Sequence, residues 1–257
     1  MALSIQNKIV FITGASSGIG QATAYQMAEQ GAHIIIAARR KERLDEMAHQ
    51  IESKHNVKVL PISLDITDKE QVQASIHNLP QAWQPVDIVI NNAGAALSSG
   101  LMQEGDLDSW DNTIDINVKG LLYVTRTFLP SMIERDSGHI INIGSIAAQE
   151  TYPGGNVYSA TKHAVNAITN SLRKDLLGYS IRVSEIDPGA VHTEFNEVRW
   201  QDKNKAEAFY QGFQPLLAED IADTVVYCAT RPLHVNVSNM TVYPTAQASC
   251  NHLYREQ

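Results

Sequence analysis

Lys8 to Gly20 reads K-I-V-F-I-T-G-A-S-S-G-I-G, and the fold follows from how this stretch is parsed. Lys8 to Thr13 is a short apolar, β-branched run, the composition of a buried strand. Gly14, Gly18 and Gly20 follow at once. Ala22, Ala24, Met27 and Ala28 then recur at helical spacing as far as Gly31, a residue suited to a C-terminal cap. Glycines at this spacing occur in many loops, so the motif takes its weight from lying between a strand and a helix. In that setting Gly14 permits the tight turn, Gly18 lets the backbone approach a pyrophosphate, and Gly20 lets the helix pack close to the strand. Ser16, Ser17 and Ile19 complete the loop at the helix amino end, which faces the anion.

Working outward, His33 to Ala37 supplies a second apolar strand. Where an NAD site carries an acid for the ribose hydroxyls, this chain has Ala38, Arg39 and Arg40. An acid there would repel a 2′-phosphate, whereas Arg39 offers a planar fork to phosphate oxygens, so NADP(H) is the expected coenzyme. Arg40 either joins it or is solvated at the head of the helix Lys41 to Lys54. Val57 to Ser63 reads as the third strand, running into Leu64, Asp65 and Ile66 at the coenzyme's edge, with Asp68 as amino cap of the next helix. Asp65 either accepts from an adenine amino group or caps a turn. Val86 to Ile90 is the fourth strand and leads into N-N-A-G, Asn91 to Gly94. Ala93 and Gly94 are small enough for a coenzyme to lie against their backbone, while Asn92 either touches it or only stabilises the turn. A helical stretch follows at about 107–130. Within it Asn117 stands among apolar residues, and it either satisfies backbone at a kink or holds water beside Lys162.

The second decisive stretch is Gly144 to Lys162. Tyr158 and Lys162 are four apart, so on a helix they share a face, and a nearby ammonium is expected to lower the phenol's pKa. Ser145 follows the apolar run Ile140, Ile141, Ile143, placing its hydroxyl at a strand's carboxyl end, where open α/β sheets bind ligands. Tyrosine and lysine at this spacing also occur on many surface helices without chemistry, so the pair needs the rest of the chain behind it.

Composition sets the outer limits. A chain of 257 residues, 44% hydrophobic and 19% charged, suits one α/β domain with a substantial core. Its net charge of -8 and scattered basic residues argue against nucleic acid as a partner. Met1 to Ser4 lack a basic start, and no apolar run approaches the roughly 20 residues of a membrane helix, so no membrane association and a cytoplasmic location are expected. Cys228 and Cys250 have no metal-like spacing, and no metal site is expected; Cys228 reads as a packed thiol.

Taken together, T-G-A-S-S-G-I-G, N-N-A-G, Asn117, Ser145, Y-S-A-T-K (Tyr158 to Lys162) and P-G-A-V-H-T (Pro188 to Thr193) resemble the short-chain dehydrogenases/reductases in order and spacing over nearly the whole chain. The resemblance implies a single Rossmann-type, doubly wound α/β domain with a seven-stranded parallel sheet and helices on both faces, usually a homotetramer. It puts the catalytic set on Asn117, Ser145, Tyr158 and Lys162, and places Pro188, Gly189, Val191 and Thr193 along the nicotinamide. Lys162 would also hold the nicotinamide ribose, and Asn117 would position a water linking Lys162 to solvent. Within the family, I-N-I-G-S, G-G-N-V-Y, T-E-F-N-E-V-R-W and Y-P-T-A-Q-A-S look like the NADP-dependent serine/3-hydroxy acid dehydrogenases, which implies a small-molecule 3-hydroxy acid as substrate. Alternatives are a reductase of sulfoacetaldehyde or of a 3-oxoacyl thioester, and a non-catalytic NADPH sensor.

The last third carries the substrate pocket. The connection after Pro188, about 189–215, is long enough to be a lid, with a short helix expected at Lys205 to Tyr210. A 3-hydroxy acid needs a cation for its carboxylate; Arg199 is the best placed, with Lys203 and Lys205 as competitors. Gln149 and Asn156 either add polar contacts or serve only their loop. Ala218 to Thr230 reads as an amphipathic helix and Met240 to Tyr243 as the last strand. The tail from Pro244, about 244–257, has little core of its own and suits docking onto a neighbouring subunit.

Overall fold

Apolar runs such as I-V-F-I-T and H-I-I-I-A-A are buried on both faces, which suits strands of a parallel sheet covered by helices on either side. The computed structural model describes residues 3–97 and 100–256. Its seven strands are β1 (Ile9–Thr13), β2 (His33–Ala38), β3 (Val59–Ser63), β4 (Ile88–Asn91), β5 (Gly138–Ile143), β6 (Ile181–Pro188) and β7 (Asn239–Val242). They form one sheet in the order β3-β2-β1-β4-β5-β6-β7, every neighbouring pair parallel. After β3 the chain crosses back to the far side of β1, so the connections leaving β1 and β4 part and open a crevice at their carboxyl ends.

The helices are α1 (Gly18–Glu29), α2 (Lys41–Lys54), α3 (Lys69–His77), α4 (Leu107–Ile114), α5 (Leu121–Glu134), α6 (Asn156–Asp175), α7 (Phe195–Trp200), α8 (Lys203–Phe209) and α9 (Ala218–Ala229). Alternate residues of the strands feed two cores. Ile34, Ile36 and Ile186 meet Met27, Ile221 and Val225 on one face. Phe11, Ile35 and Val183 meet Val124, Phe128 and Met132 on the other.

Most boundaries fall within two residues of the sequence reading, and three segments differ. The helix expected at about 107–130 is α4 and α5 joined through a π-helical turn, Asp115–Gly120, which contains Asn117. It also runs through Pro130 to Glu134, because Phe128 and Met132 on either side of the proline are buried in the core. The β6–α9 connection holds two short helices, α7 and α8, instead of one; Asp202 caps α8 by accepting from the Lys205 N–H. The tail folds back on its own chain. Tyr254 N–H donates to Ala246, Glu256 N–H donates to Gly212 at 2.7 Å, and Arg255 lies over the rings of Phe209 and Phe213. Cys228 is a packed thiol, pushed up to about 11 by burial. Among the described residues no helix is long and apolar enough to cross a membrane.

Candidate active site

The crevice at the carboxyl ends of the strands is a cavity of about 650 Å³. One end is the glycine loop. Ser17 caps α1 without a side-chain hydrogen bond to it, so the first N–H groups of the helix are left for an anion. Gly14 and Gly18 both have positive φ, and a β-carbon at Gly14 would lie 2.8 Å from the Ala93 Cα. Only glycine lets the β1 and β4 loops meet there. Gly20 lies behind the cavity, packed on the Gly14 carbonyl and the Asn92 amide. Asn92 takes the turn-stabilising alternative: its Nδ2 donates to the carbonyls of Thr13, at 2.9 Å, and Gly14. Asp65 caps a turn, accepting from both the N–H and the hydroxyl of Thr67 with one oxygen, and with Ile66 still lines the wall beside Ala93 and Gly94.

Arg39 is exposed at the end of β2 and lines the cavity, with no ion pair among the described residues. Arg40 is hydrogen-bonded to its neighbours while its side chain stays part-exposed. Its guanidinium donates to the hydroxyls of Ser16 (3.1 Å) and Ser17 (2.7 Å) and to the Glu194 carboxylate (2.8 Å). Glu194 also takes Arg43 at 2.7 Å. Partial burial opposes ionisation of Glu194, but the two arginines hold its carboxyl below the usual range. Neither Glu194 nor Arg43 stands out in the sequence, since the contact joins segments some 150 residues apart.

The other end gathers Ser145, Tyr158 and Lys162. Ser145 Oγ accepts from the Ala147 N–H at 3.1 Å, leaving its own proton free to donate. Tyr158 and Lys162 share a face of α6, with Nζ 5.9 Å from the ring centroid. The ammonium donates to the Ile143 carbonyl at 2.8 Å, and burial pulls it down to about 8 against the pull of Asp187 and Glu185. The expected lowering of the phenol is not what this arrangement produces. Burial, then the Tyr152 ring, push Tyr158 well up, while the Ser145 hydroxyl and the Arg199 charge act against them. The physical reason is that Lys162 directs its proton at main chain, so desolvation of the phenol outweighs the cation.

Asn117 is buried behind the cavity, with its amide fully engaged. Its oxygen accepts from the Ala95 N–H, and its nitrogen donates to Ala95 O and to Thr161 Oγ1, all within 2.9 Å. It thus ties the β4 loop to the turn of α6 that carries Lys162. Pro188, Gly189, Val191 and Thr193 line the rim, and Thr193 touches the space a Gly18 side chain would need.

Of the residues considered for substrate, Arg199 is half-buried and does not itself line the cavity, though its neighbours Phe195 and Val198 on α7 do. Its guanidinium lies 5.4 Å from the Tyr152 ring centroid, its Nε is buried with no hydrogen-bond partner, and its charge is felt at Tyr158. Lys203 and Lys205 are exposed on α8. Gln149 is not brought to the cavity: its amide donates to Asp187 and, at 2.8 Å, to Thr241. Asn156 donates to the Gly100 carbonyl at 3.0 Å and accepts from Val157, serving its loop. The structure adds two buried carboxyls that sequence reading passed over, Glu185 and Asp187 behind Ser145. Their signal was present as two acids spaced by two in an otherwise buried strand.

A doubly wound sheet whose crevice joins an open helix amino end to a serine, tyrosine and lysine is built for coenzyme-dependent oxidoreduction, and the chain belongs to the short chain dehydrogenases, whose family profile matches residues 8–204. It is 41% identical to the NADP-dependent 3-hydroxy acid dehydrogenase of Schizosaccharomyces pombe, over 98% of each chain. It is 44% identical to sulfoacetaldehyde reductase 2 of Chromohalobacter salexigens, covering 93% of this chain and 95% of that one. The closed form of serine dehydrogenase complexed with NADP+ superposes with a TM-score of 0.90 at 39% identity, covering 97% of this chain and all of the other. The uncapped α1 terminus, the glycine cradle and exposed Arg39 fit such a coenzyme, and NADP(H) is the coenzyme of this enzyme.

Proposed function

We propose that this protein interconverts a small 3-hydroxy acid, of the serine, allo-threonine or 3-hydroxypropionate type, and the corresponding 3-oxo acid or semialdehyde. The observation that carries the reading is Arg199, a cation with a buried, unpartnered Nε held beside the Tyr152 and Trp200 rings, its charge felt at Tyr158. A carboxylate bound there would leave the hydroxyl-bearing carbon of a short substrate facing Ser145 and Tyr158.

The glycine loop from Gly14 to Gly20 and the α1 amino end would hold the pyrophosphate. Arg39, with Arg40 and Ser16, would hold the 2′-phosphate, while Asp65, Ile66 and Asn92 to Gly94 would lie along the adenosine and ribose. Lys162 would hold the nicotinamide ribose, and Pro188, Gly189, Val191 and Thr193 the carboxamide end. When bound, the coenzyme supplies or accepts the hydride. Ser145 donates its free proton to the substrate oxygen. Tyr158, kept protonated by burial, is in the acid form that reduction requires and gives its proton to that oxygen as negative charge grows on it. Oxidation requires the same residue as base, so it is favoured as the pH rises. Asn117 fixes the helix turn behind Lys162.

Residues 189–215 act as the lid over substrate, with α7 carrying Arg199. A homotetramer in the cytoplasm is the assembly and location we favour; family analogy supports the first and the free thiols Cys228 and Cys250 the second. The likeness to sulfoacetaldehyde reductase favours one other substrate class, since Arg199 would take a sulfonate as readily as a carboxylate.

NADPH absorbance followed with a panel of 3-hydroxy acids, 3-oxo acids and sulfoacetaldehyde, in both directions, tests the assignment. Turnover of 3-hydroxy acids with NADP+ ahead of NAD+ is expected. Turnover of sulfoacetaldehyde alone would transfer the reading to the sulfonate. Tight NADPH binding without turnover of any carbonyl would replace it with a sensor.

A further inference from the structure

Glu185 and Asp187 are spaced by two on β6 and share one face, at 1% and 0% exposure, while Ile186 between them packs toward α9 on the other face. Asp187 has its acceptors filled. Oδ1 takes the Ser145 main-chain N–H at 2.9 Å, and Oδ2 takes Asn239 Nδ2 at 2.7 Å and Gln149 Nε2 at 3.2 Å. Glu185 Oε2 accepts from Asn166 Nδ2 at 3.1 Å, but Oε1 is buried with no partner. The position of that orphan oxygen is informative. A β-carbon on Gly144 would lie 2.0 Å from Asp187 Oδ1 and 2.7 Å from Glu185 Oε1, so the two oxygens converge on space that only a glycine leaves open.

Two carboxylates brought together away from water cannot both ionise. We propose that Glu185 and Asp187 share one proton, carried on Glu185 Oε1 and donated to Asp187 Oδ1, and that the resulting single charge positions Ser145 and balances the Lys162 ammonium. The proton gives the orphan Oε1 its partner and removes the repulsion. The charge stays on Asp187, which receives three N–H donors and so is the better site for it.

The groups facing the pair are few. α6 presents Lys162 and the Asn166 amide, the loop after β5 presents main chain at Gly144 with Ser145 and Gln149, and β7 presents Asn239. Tyr243, just beyond β7, is the other titratable side chain that feels Asp187. Lys162 is therefore the one cation within this set, and the pair holds one negative charge for one positive. Burial and the facing carboxylate push Glu185 up, in keeping with a retained proton. The consequence runs to the reacting end of the cavity: Asp187 holds the N–H of the very residue whose hydroxyl points at the substrate oxygen. Glu185 and Asp187 are positioning residues, since neither lines the cavity.

Infrared spectroscopy of the whole ligand-free enzyme at neutral pH tests the shared proton without reliance on any substrate. The carbonyl stretch of a protonated, buried carboxylic acid is expected in the wild type and should vanish in Glu185→Gln. Absence of that band, or its persistence in Glu185→Gln, overturns the proposal. The kinetic arm rests on the roles given above to Ser145 and Lys162. Glu185→Gln keeps a donor to Asp187 and Glu185→Leu does not, so kcat should fall about tenfold further in the leucine variant. Asp187→Asn alone would leave Glu185 free to ionise and keep the charge, so the counter-charge is removed in the double variant Glu185→Gln/Asp187→Asn, where the alkaline limb of the pH profile should move down by about one pH unit. A limb unmoved in the double variant would sever the pair from Lys162 and overturn the counter-charge role. Should the double variant fail to fold, the infrared band and the glutamine-to-leucine difference still decide the matter.

Discussion

On the proposed reading substrate choice turns on Arg199, because a cation with an unpartnered Nε has a hydrogen bond to give when an anion arrives. Hydrogen bonds to charged groups contribute about 1.5–3 kcal/mol, so Arg199→Ala should raise KM for a 3-hydroxy acid by about 10- to 100-fold. A neutral alcohol of similar shape should lose little. Steady-state kinetics on both substrates check this, and equal losses on both would remove Arg199 from the anion site. Single residues also mark the limit of reading a sequence. The placing of Ser145, Tyr158 and Lys162 at one end of the crevice was legible because the serine follows a strand end and the common Tyr–Lys spacing stands in order behind the glycine loop, N-N-A-G and Asn117. Gln149 and Asn156 were not, because an amide bonds whatever lies nearest. Here those neighbours are Thr241 and the Gly100 carbonyl, which no local pattern reveals.

Elements were legible wherever pattern and burial agree. β1, β2 and β5 read as buried runs and are buried, while at Asn117 the sequence offered a kink but not its form, a π-helical turn tied to Ala95 and Thr161. β5 also conceals a liability. His139 lies in the middle of the sheet, one ring nitrogen on Ser184 Oγ at 2.9 Å and the other, Nδ1, without a partner. Burial, then the Arg182 charge, hold it well below its ordinary value of 6.5. The folded protein keeps this histidine neutral, whereas the unfolded chain protonates it below about 6.5. The unfolded state then binds the extra proton, so this contribution to stability is intact above 6.5 and is lost as the pH falls below it. The loss reaches about 1.4 kcal/mol near pH 5.5. Denaturant melts at a series of pH values should show it, and His139→Gln should flatten that part of the slope. An identical slope in the variant would show that carboxylates alone carry the acid sensitivity.

At the scale of the molecule, the tail and the β6–α9 connection form one continuous cover. Glu256 N–H donates to the Gly212 carbonyl, Arg255 lies over Phe209 and Phe213, and Asn251 with Cys250 holds Glu150 in the loop between Ser145 and Tyr158. Composition alone did not show the anchors the tail has on its own chain, because they lie some 40 to 100 residues away in sequence. On the proposed reading of residues 189–215 as a lid, the last residues belong to the same device, since they grip the end of α8 and the turn at Gly212. Deleting Arg255 to Gln257 removes one main-chain hydrogen bond, the exposed Arg255 bond to the Gln211 carbonyl and the Arg255 stacking, together about 1–2 kcal/mol. For a domain of this size that lowers Tm by only about 2–8 °C. KM for the 3-hydroxy acid should nevertheless rise several-fold, because a looser cover spends more time away from substrate. NADPH affinity should change less, since the glycine loop and Arg39 lie at the opposite end of the crevice. A deletion that lowers Tm while leaving KM untouched would reduce the tail to a structural clasp and separate it from the cover's function.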